Sequence, residues 1–321
     1  MLINEKNLKM WATIGQRATL GIAALELAKE NDNLIVLTAD VSTSAGLDRF
    51  RKTIPEKFVD VGIAEQNLIG IATGLASEKY DVVTTTFAPF QTMRCCEQIK
   101  VNLGYMKYKV CMVGLASGLV LGTLGFTHCC IEDIGVLRSI PNITIISPSD
   151  SLETIKALQS AIKLDGPSYI RLTGGSNNSI INNKDYDFKI GKSINLCEGD
   201  DVFIFCNGAI TKECLLAANE LKKENIHCNV TNMHTIKPID KEAILKASNS
   251  KLIVSVEEHN IIGGLGSAIS EFNSSLNNSP PQLFLGIKDT YTAGGSYLYL
   301  KEKNGLTAKK IVSSIINSLG K

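Results

Sequence analysis

Two hydrophobic periods alternate along this chain. Leu34-Ile-Val-Leu-Thr38 is apolar at nearly every position, the mark of a buried strand. Between Arg17 and Lys29, apolar residues recur at helical spacing as Leu20, Ala24, Leu27 and Ala28, and the polar turn Asn31-Asp32-Asn33 separates this helix from the strand. The same alternation predicts further strands at Phe58–Val61, Asp81–Thr86, Lys109–Leu115, Thr144–Ile146 and Tyr169–Leu172. Helices are predicted between them: one entered through Gly62 with the stripe Ala64, Leu68, Ile71, Ala72 and Leu75, one at Gln91–Leu103, a short one near Ile134–Arg138, and one capped by Ser149 and running to Leu164. Such a series implies parallel strands with helices on both faces.

Between Gly174 and Lys192 the pattern stops in a polar, turn-forming stretch with neither period. A second series follows, with strands at Val202–Cys206, Cys228–Asn232, Leu252–Val256 and Leu283–Ile287 and helices at Thr211–Glu224, Lys241–Ala247, Gly266–Asn273 and Ala308–Leu319. The reading is two consecutive three-layer α/β domains, residues 1–180 and a smaller 194–321, joined by a linker at 181–193. A length of 321 residues agrees with about two domains at roughly 150 residues each.

Composition narrows the function classes. A net charge of +1, with Lys and Arg spread along the chain, offers no footprint for nucleic acid or an anionic membrane and favours a small-molecule protein. Apolar stretches are interrupted well before the roughly 18 to 20 residues of a membrane span. The start Met1-Leu2-Ile3-Asn4-Glu5-Lys6 has no apolar signal core and is not an Arg-rich presequence, so the expected location is cytoplasmic. Nine cysteines, with adjacent pairs Cys95-Cys96 and Cys129-Cys130 and no Cys-x-x-Cys, read as buried reduced thiols without metal-ligand spacing.

The candidate chemistry centres on Glu65, in the first turn of the helix behind Gly62. A carboxylate there suits the helix macrodipole, which is one sufficient reading of it. The whole string Phe58 to Leu75, however, resembles the Gly-Ile-x-Glu-(Gln/His) segment of thiamine diphosphate enzymes of the transketolase family. In that family one buried carboxyl bonds N1′ of the aminopyrimidine and favours the tautomer whose amino group acts as base. The resemblance implies this role for Glu65 and predicts that it is buried and electrostatically perturbed.

The likeness continues. Thr86-Phe87-Ala88-Pro89-Phe90-Gln91-Thr92-Met93 resembles the family's Thr-Phe-x-x-Phe-x-x-Tyr segment, which implies a cofactor wall of Phe87 and Phe90 with Met93 at the Tyr position. Thr38-Ala39-Asp40-Val41-Ser42-Thr43-Ser44 is similar to Ser-Ala-Asp-Leu-Thr-x-Ser, implying Asp40 near the cofactor and Ser44 at an acceptor phosphate. The loop Gly114 to Cys130 resembles Gly-x-Gly-x-Asp-Gly-Pro-Thr-His-(Gln/His) at Gly122, Gly125, Thr127 and His128, which implies donor-sugar contact or proton transfer by His128. It departs from the family at Leu124 for Asp, Phe126 for Pro and Ala116 for a phosphate-reaching His, losses that remove polar readout and leave room for a sugar other than the standard pentose and hexose phosphates. Arg171, at a strand C-terminus, resembles the arginine that holds a substrate's anionic end. The second domain's Val256 to Ser267 is similar to Glu-Glu-His-x-x-x-Gly-Gly-x-Gly-Ser; as a Gly-rich loop entering a helix it could cradle a phosphate, but packing is the preferred reading. The segment around His234 also looks like the family and carries no assigned chemistry.

The pattern begins where the second half of a transketolase begins. The family's Gly-Asp-Gly…Asn metal and pyrophosphate motif is missing, and Gly199-Asp200-Asp201 fails it. The resemblance therefore implies a C-terminal subunit of a split transketolase, moving a two-carbon ketol unit from ketose to aldose. An N-terminal subunit would hold the pyrophosphate and Mg²⁺, in an α2β2 assembly. Alternatives are a deoxyxylulose phosphate synthase-like enzyme, a 2-oxo acid dehydrogenase E1 β subunit, or a non-catalytic assembly paralogue that Leu124 and Ala116 would suit.

Overall fold

Among the described residues the strands are β1 (Leu34–Thr38), β2 (Phe58–Asp60), β3 (Asp81–Phe87), β4 (Val110–Ser117), β5 (Thr144–Ile146), β6 (Ser168–Thr173), β7 (Ile194–Cys197), β8 (Val202–Cys206), β9 (Cys228–Asn232), β10 (Thr235–Lys237), β11 (Leu252–Asn260) and β12 (Gln282–Ile287). They belong to a computed structural model that describes residues 3–182 and 185–320, so two residues of the predicted linker, Asn183 and Lys184, lie outside the described residues. The first sheet runs β10-β5-β6-β4-β3-β1-β2 and the second β12-β11-β8-β9-β7. Every pairing is parallel except β10 on β5 and β7 on β9. Two α/β domains with mainly parallel sheets, as expected, follow one another along the chain.

The apolar runs explain the layering. Every residue of β4 and β6 is buried, because helices cover both faces. Alternate side chains go to opposite faces: Leu37, Val82, Met112 and Tyr169 enter one core, and Val36, Val83, Val113 and Ile170 the other. The first of these cores continues into the second domain through Phe203, Phe205, Met233 and Ile269.

Several elements differ from expectation for identifiable reasons. The first helix spans Glu5–Glu30 and begins at a cap where Asn4 accepts the Asn7 N–H. It breaks at Gly15 (φ 79°), where a Cβ would lie 2.5 Å from the Gly175 carbonyl oxygen. The helix expected at Gln91–Leu103 is fragmented into Ala88–Gln91, Cys96–Gln98 and a π-helical turn Ile99–Tyr105. Pro89 starts the first piece early, and the piece closes on Thr92, whose hydroxyl bonds the Ala88 carbonyl at 2.7 Å. The cap of helix Ser151–Ala161 is Asp150, not Ser149; Asp150 accepts the Glu153 N–H and Glu153 accepts that of Ser149, a reciprocal box. β7, β10 and helix Tyr297–Lys303 were not expected from the pattern, being three to seven residues long. β10, from the C-terminal half, pairs with the first sheet.

All nine cysteines are free, seven of them buried, and burial pushes the Cys95 and Cys111 thiols up to about 12. Among the described residues no helix is long and apolar enough to cross a membrane.

Candidate active site

The C-terminal ends of β1, β2, β3 and β4 bring the motif residues to one edge of the first sheet, the side on which parallel α/β sheets bind ligands. Asp60, at the end of β2, organises the turns there. Its Oδ1 accepts the Asp40 N–H at 2.9 Å and the Gly62 N–H at 3.0 Å, holding Asp40 in a left-handed conformation (φ 56°) and opening the turn at Gly62 (φ 70°). The helix Glu65–Ser77 starts immediately behind this turn with Glu65 as its first residue.

Glu65 is 4% exposed, and Arg94 Nη1 donates to its Oε1 at 2.6 Å. The Arg94 guanidinium carbon lies 4.0 Å from the centre of the Phe90 ring, a cation–π distance. Phe90 meets Phe87 edge-on at 6.4 Å, and the His128 ring packs against both, 5.5 Å from Phe90 and 6.3 Å from Phe87. Glu65, Arg94, Phe90, Phe87 and His128 thus form one continuous contact set. Met93 is on the same turn, 40% exposed. Asp40, exposed, and Ser44, half-buried in a turn closed by the Ser42 and Thr43 hydroxyls on Asp48, take no part in that set.

Arg94 escaped the sequence reading. Inside an expected helix an arginine reads as a solvated charge; it reaches Glu65 because the helix breaks between Thr92 and Cys96.

The loop after β4 is shaped partly from the second domain. Its backbone closes through a bridge between Gly118 and Cys130, a turn Gly122–Leu124 and Gly125 (φ 78°). Gly295 donates its N–H to the Gly122 carbonyl at 2.9 Å, and a Cβ on Gly122 would strike Leu300. Tyr291 packs on Phe126 at 5.3 Å and its hydroxyl donates to Glu132. Phe126 therefore anchors the loop to the second domain, while Leu124 is 56% exposed. The Thr127 hydroxyl pairs with His128 Nδ1 at 3.0 Å, leaving Nε2 for another group.

Arg171 does not fit the expected anion-binding role. It is fully buried, its Nε bonds both oxygens of Asp133, and its Nη2 donates to the Glu258 carbonyl. Burial alone would raise the Asp133 carboxyl, but the Arg171 charge, with hydrogen bonds from Ser117 and Tyr169, outweighs it and holds Asp133 below its usual range. A guanidinium so enclosed has no open face for a substrate.

The glycine-rich segment of the second domain is filled by its own chain. Glu257 accepts the Leu265 and Gly266 N–H groups at the start of helix Leu265–Asn273, where a phosphate would otherwise sit. His259 is buried beside Gly135, and buried His234 stacks on Phe188 at 4.1 Å. Among the described residues no group of three His, Cys, Asp or Glu is placed to hold a metal ion.

Both halves of the chain are similar to known proteins. Residues 12–178 match the family model of the transketolase pyrimidine-binding domain, and residues 191–311 that of the transketolase C-terminal domain. The chain is 39% identical over 290 residues to the 6-deoxy-6-sulfo-D-fructose transketolase subunit SqwH of Clostridium sp. (strain MSTE9), covering 90% of this chain and 89% of the relative. It is 36% identical over 308 residues to a putative transketolase C-terminal section from Methanocaldococcus jannaschii, covering 96% and 97%. A solved split-gene transketolase, in an inactive beta4 tetramer, superposes with a TM-score of 0.88 at 35% identity, covering 96% of this chain and 99% of that one.

Proposed function

Since the chain belongs to the transketolase family, whose members depend on thiamine diphosphate, we propose that it is the pyrimidine-binding subunit of a two-chain transketolase. It would move a two-carbon ketol unit from a ketose with an anionic end to an aldose. One observation carries the reading: a buried carboxylate, Glu65, already holds a planar N–H group that lies on the Phe90 ring. An aminopyrimidine has the same two features, a flat face and a ring nitrogen that must share a hydrogen with a carboxyl, so the residues fit it.

When bound, thiamine diphosphate supplies an acidic thiazolium carbon and an electron sink. The residues that would hold its pyrimidine are Glu65 at the ring nitrogen, Phe90 and Phe87 against the ring, and Met93 on the exposed side. Asp40 borders the cofactor and Ser44 the acceptor. His128, oriented by Thr127, offers Nε2 to a sugar hydroxyl or to a proton in transit. The diphosphate and Mg²⁺ fall to a partner chain of roughly 270 to 300 residues, the size of the missing domain, in an α2β2 complex. The exposed apolar residues Ile63, Met93 and Leu124 along this edge suit burial against such a partner. The SqwH relative acts on a sulfonated ketose, and the altered loop at Leu124 and Ala116 is compatible with a sulfonate or phosphate end.

The test is reconstitution of this chain with a partner carrying Gly-Asp-Gly…Asn, assayed with phosphorylated, sulfonated and neutral ketoses. Ketol transfer by the mixture, with no saturable binding of thiamine diphosphate by this chain alone, is the expected result. Tight binding by the lone chain would refute the divided site, and consumption of pyruvate with release of CO₂ would move the chain to the synthase-like alternative.

A further inference from the structure

We infer that Arg94 is a built-in occupant of the pyrimidine seat, which the cofactor must displace on entering; this rests on the assignment of Glu65 and Phe90 above. Three observations lead there. The guanidinium makes the two contacts that an aminopyrimidine requires, one N–H on Glu65 Oε1 at 2.6 Å and a face on the Phe90 ring at 4.0 Å. A flat ring bonded to the same Oε1 and lying on the same face of Phe90 would overlap the guanidinium, so Arg94 and the cofactor compete.

The second observation is that the side chain is free to leave while its backbone is not. The Arg94 side chain is 43% exposed, in contrast to fully buried Arg171. Its carbonyl accepts the Gln66 side-chain N–H at 3.1 Å and its N–H bonds the Pro89 carbonyl at 3.2 Å, which pins the residue to the Glu65 helix and the Phe90 turn. An arginine has the length to swing into water from that anchor with its charge solvated.

The third concerns Glu65 itself. A carboxylate 4% exposed, left without a partner, is strongly unfavourable. Arg94 compensates that charge in the chain before the cofactor arrives and gives way to a group that bonds the same oxygen. The apparent affinity for the cofactor is then lowered by the fraction of time that the seat is taken.

Calorimetric titration of thiamine diphosphate into the reconstituted complex tests this directly. R94A and R94M should bind about three- to tenfold tighter than wild type, the scale of one partly exposed ion pair with one cation–π contact. R94K, charged but without a planar fork, should fall between. Equal or weaker binding by both R94A and R94M overturns the inference while leaving the cofactor assignment standing. A complex that binds no thiamine diphosphate in any form overturns the cofactor assignment and this inference with it. A second readout does not depend on the variants binding alike: a double-mutant cycle of E65Q and R94M on thermal stability. It should show coupling in the chain alone and none in the cofactor-loaded complex, and coupling that persists with cofactor bound overturns the displacement.

Discussion

Two carboxylate–arginine pairs in this molecule use the same chemistry to opposite ends. Glu65–Arg94 lies at the sheet edge, its carboxylate buried and its guanidinium 43% exposed; Asp133–Arg171 lies where the domains meet, with both side chains fully enclosed. In the first the arginine can be exchanged for another planar donor. In the second it is fixed by both oxygens of Asp133 and the Glu258 carbonyl, and Asp133 is fixed in turn by Ser117 and Tyr169. A third buried carboxylate, Asp150, has no arginine. Burial, with the neighbouring Glu153 charge, pushes it up to about 7 against the pull of backbone N–H groups. Enclosure of the cation therefore separates a pair that can work from one that only holds.

Substitution at Glu65 should have the largest effect. Glu65→Gln in the reconstituted complex is expected to lower kcat by at least about 10²- to 10³-fold, the scale of losing one preorganised electrostatic contact. Co-elution of the two chains should be unchanged. Normal turnover would remove Glu65 from the chemistry.

Arg171→Met comes next and should read out as stability. Leaving Asp133 buried and unpaired is expected to cost about 3 to 5 kcal/mol in urea unfolding. If the variant instead unfolds like wild type and loses only affinity for anionic ketoses, Arg171 is a ligand after all and the two pairs do not differ in kind.

The unpaired carboxylate gives a smaller effect with a defined sign. Asp150 binds its proton more tightly folded than unfolded, so its destabilising charge is fully present above about pH 7 and is relieved as pH falls toward its ordinary value near 4. Stability should rise by on the order of 2 kcal/mol between pH 8 and pH 5 from this group, a gain that Asp150→Asn would reduce. Asp133, with its lowered carboxyl, works in the opposite direction, its contribution being lost only in stronger acid.

Tyr291→Phe should do least. It removes one hydroxyl from the rim, where Tyr291 meets Glu132. A stability change under about 1 kcal/mol is expected, with a modest rise in KM for the ketose and kcat held, because the loop's backbone tie from Gly295 to Gly122 remains.

The sheet strands were legible because parallel strands covered on both faces leave continuous apolar runs, as in β4 and β8. Glu65, Phe87, Phe90 and His128 were legible as a motif and do converge. Arg94 was not, since the break between Gln91 and Cys96 falls on Thr-Met-Arg-Cys, with no glycine or proline to mark it inside a helical pattern. Arg171 was misread for a related reason: Asp133, which claims it, is 38 residues away and appears in sequence only as the start of a short helix. β10, three residues long, is below the length at which any period can be seen.

That short strand has a consequence for anyone dividing the molecule. Thr235–Lys237 covers the outer edge of β5 and completes the first sheet from the far side of the polar linker. A fragment ending near residue 190 would carry the pyrimidine-binding signature yet present β5 as a bare edge, with unpaired N–H and C=O groups that invite strand addition from a second copy. The natural place to cut the sequence is thus a poor place to cut the protein.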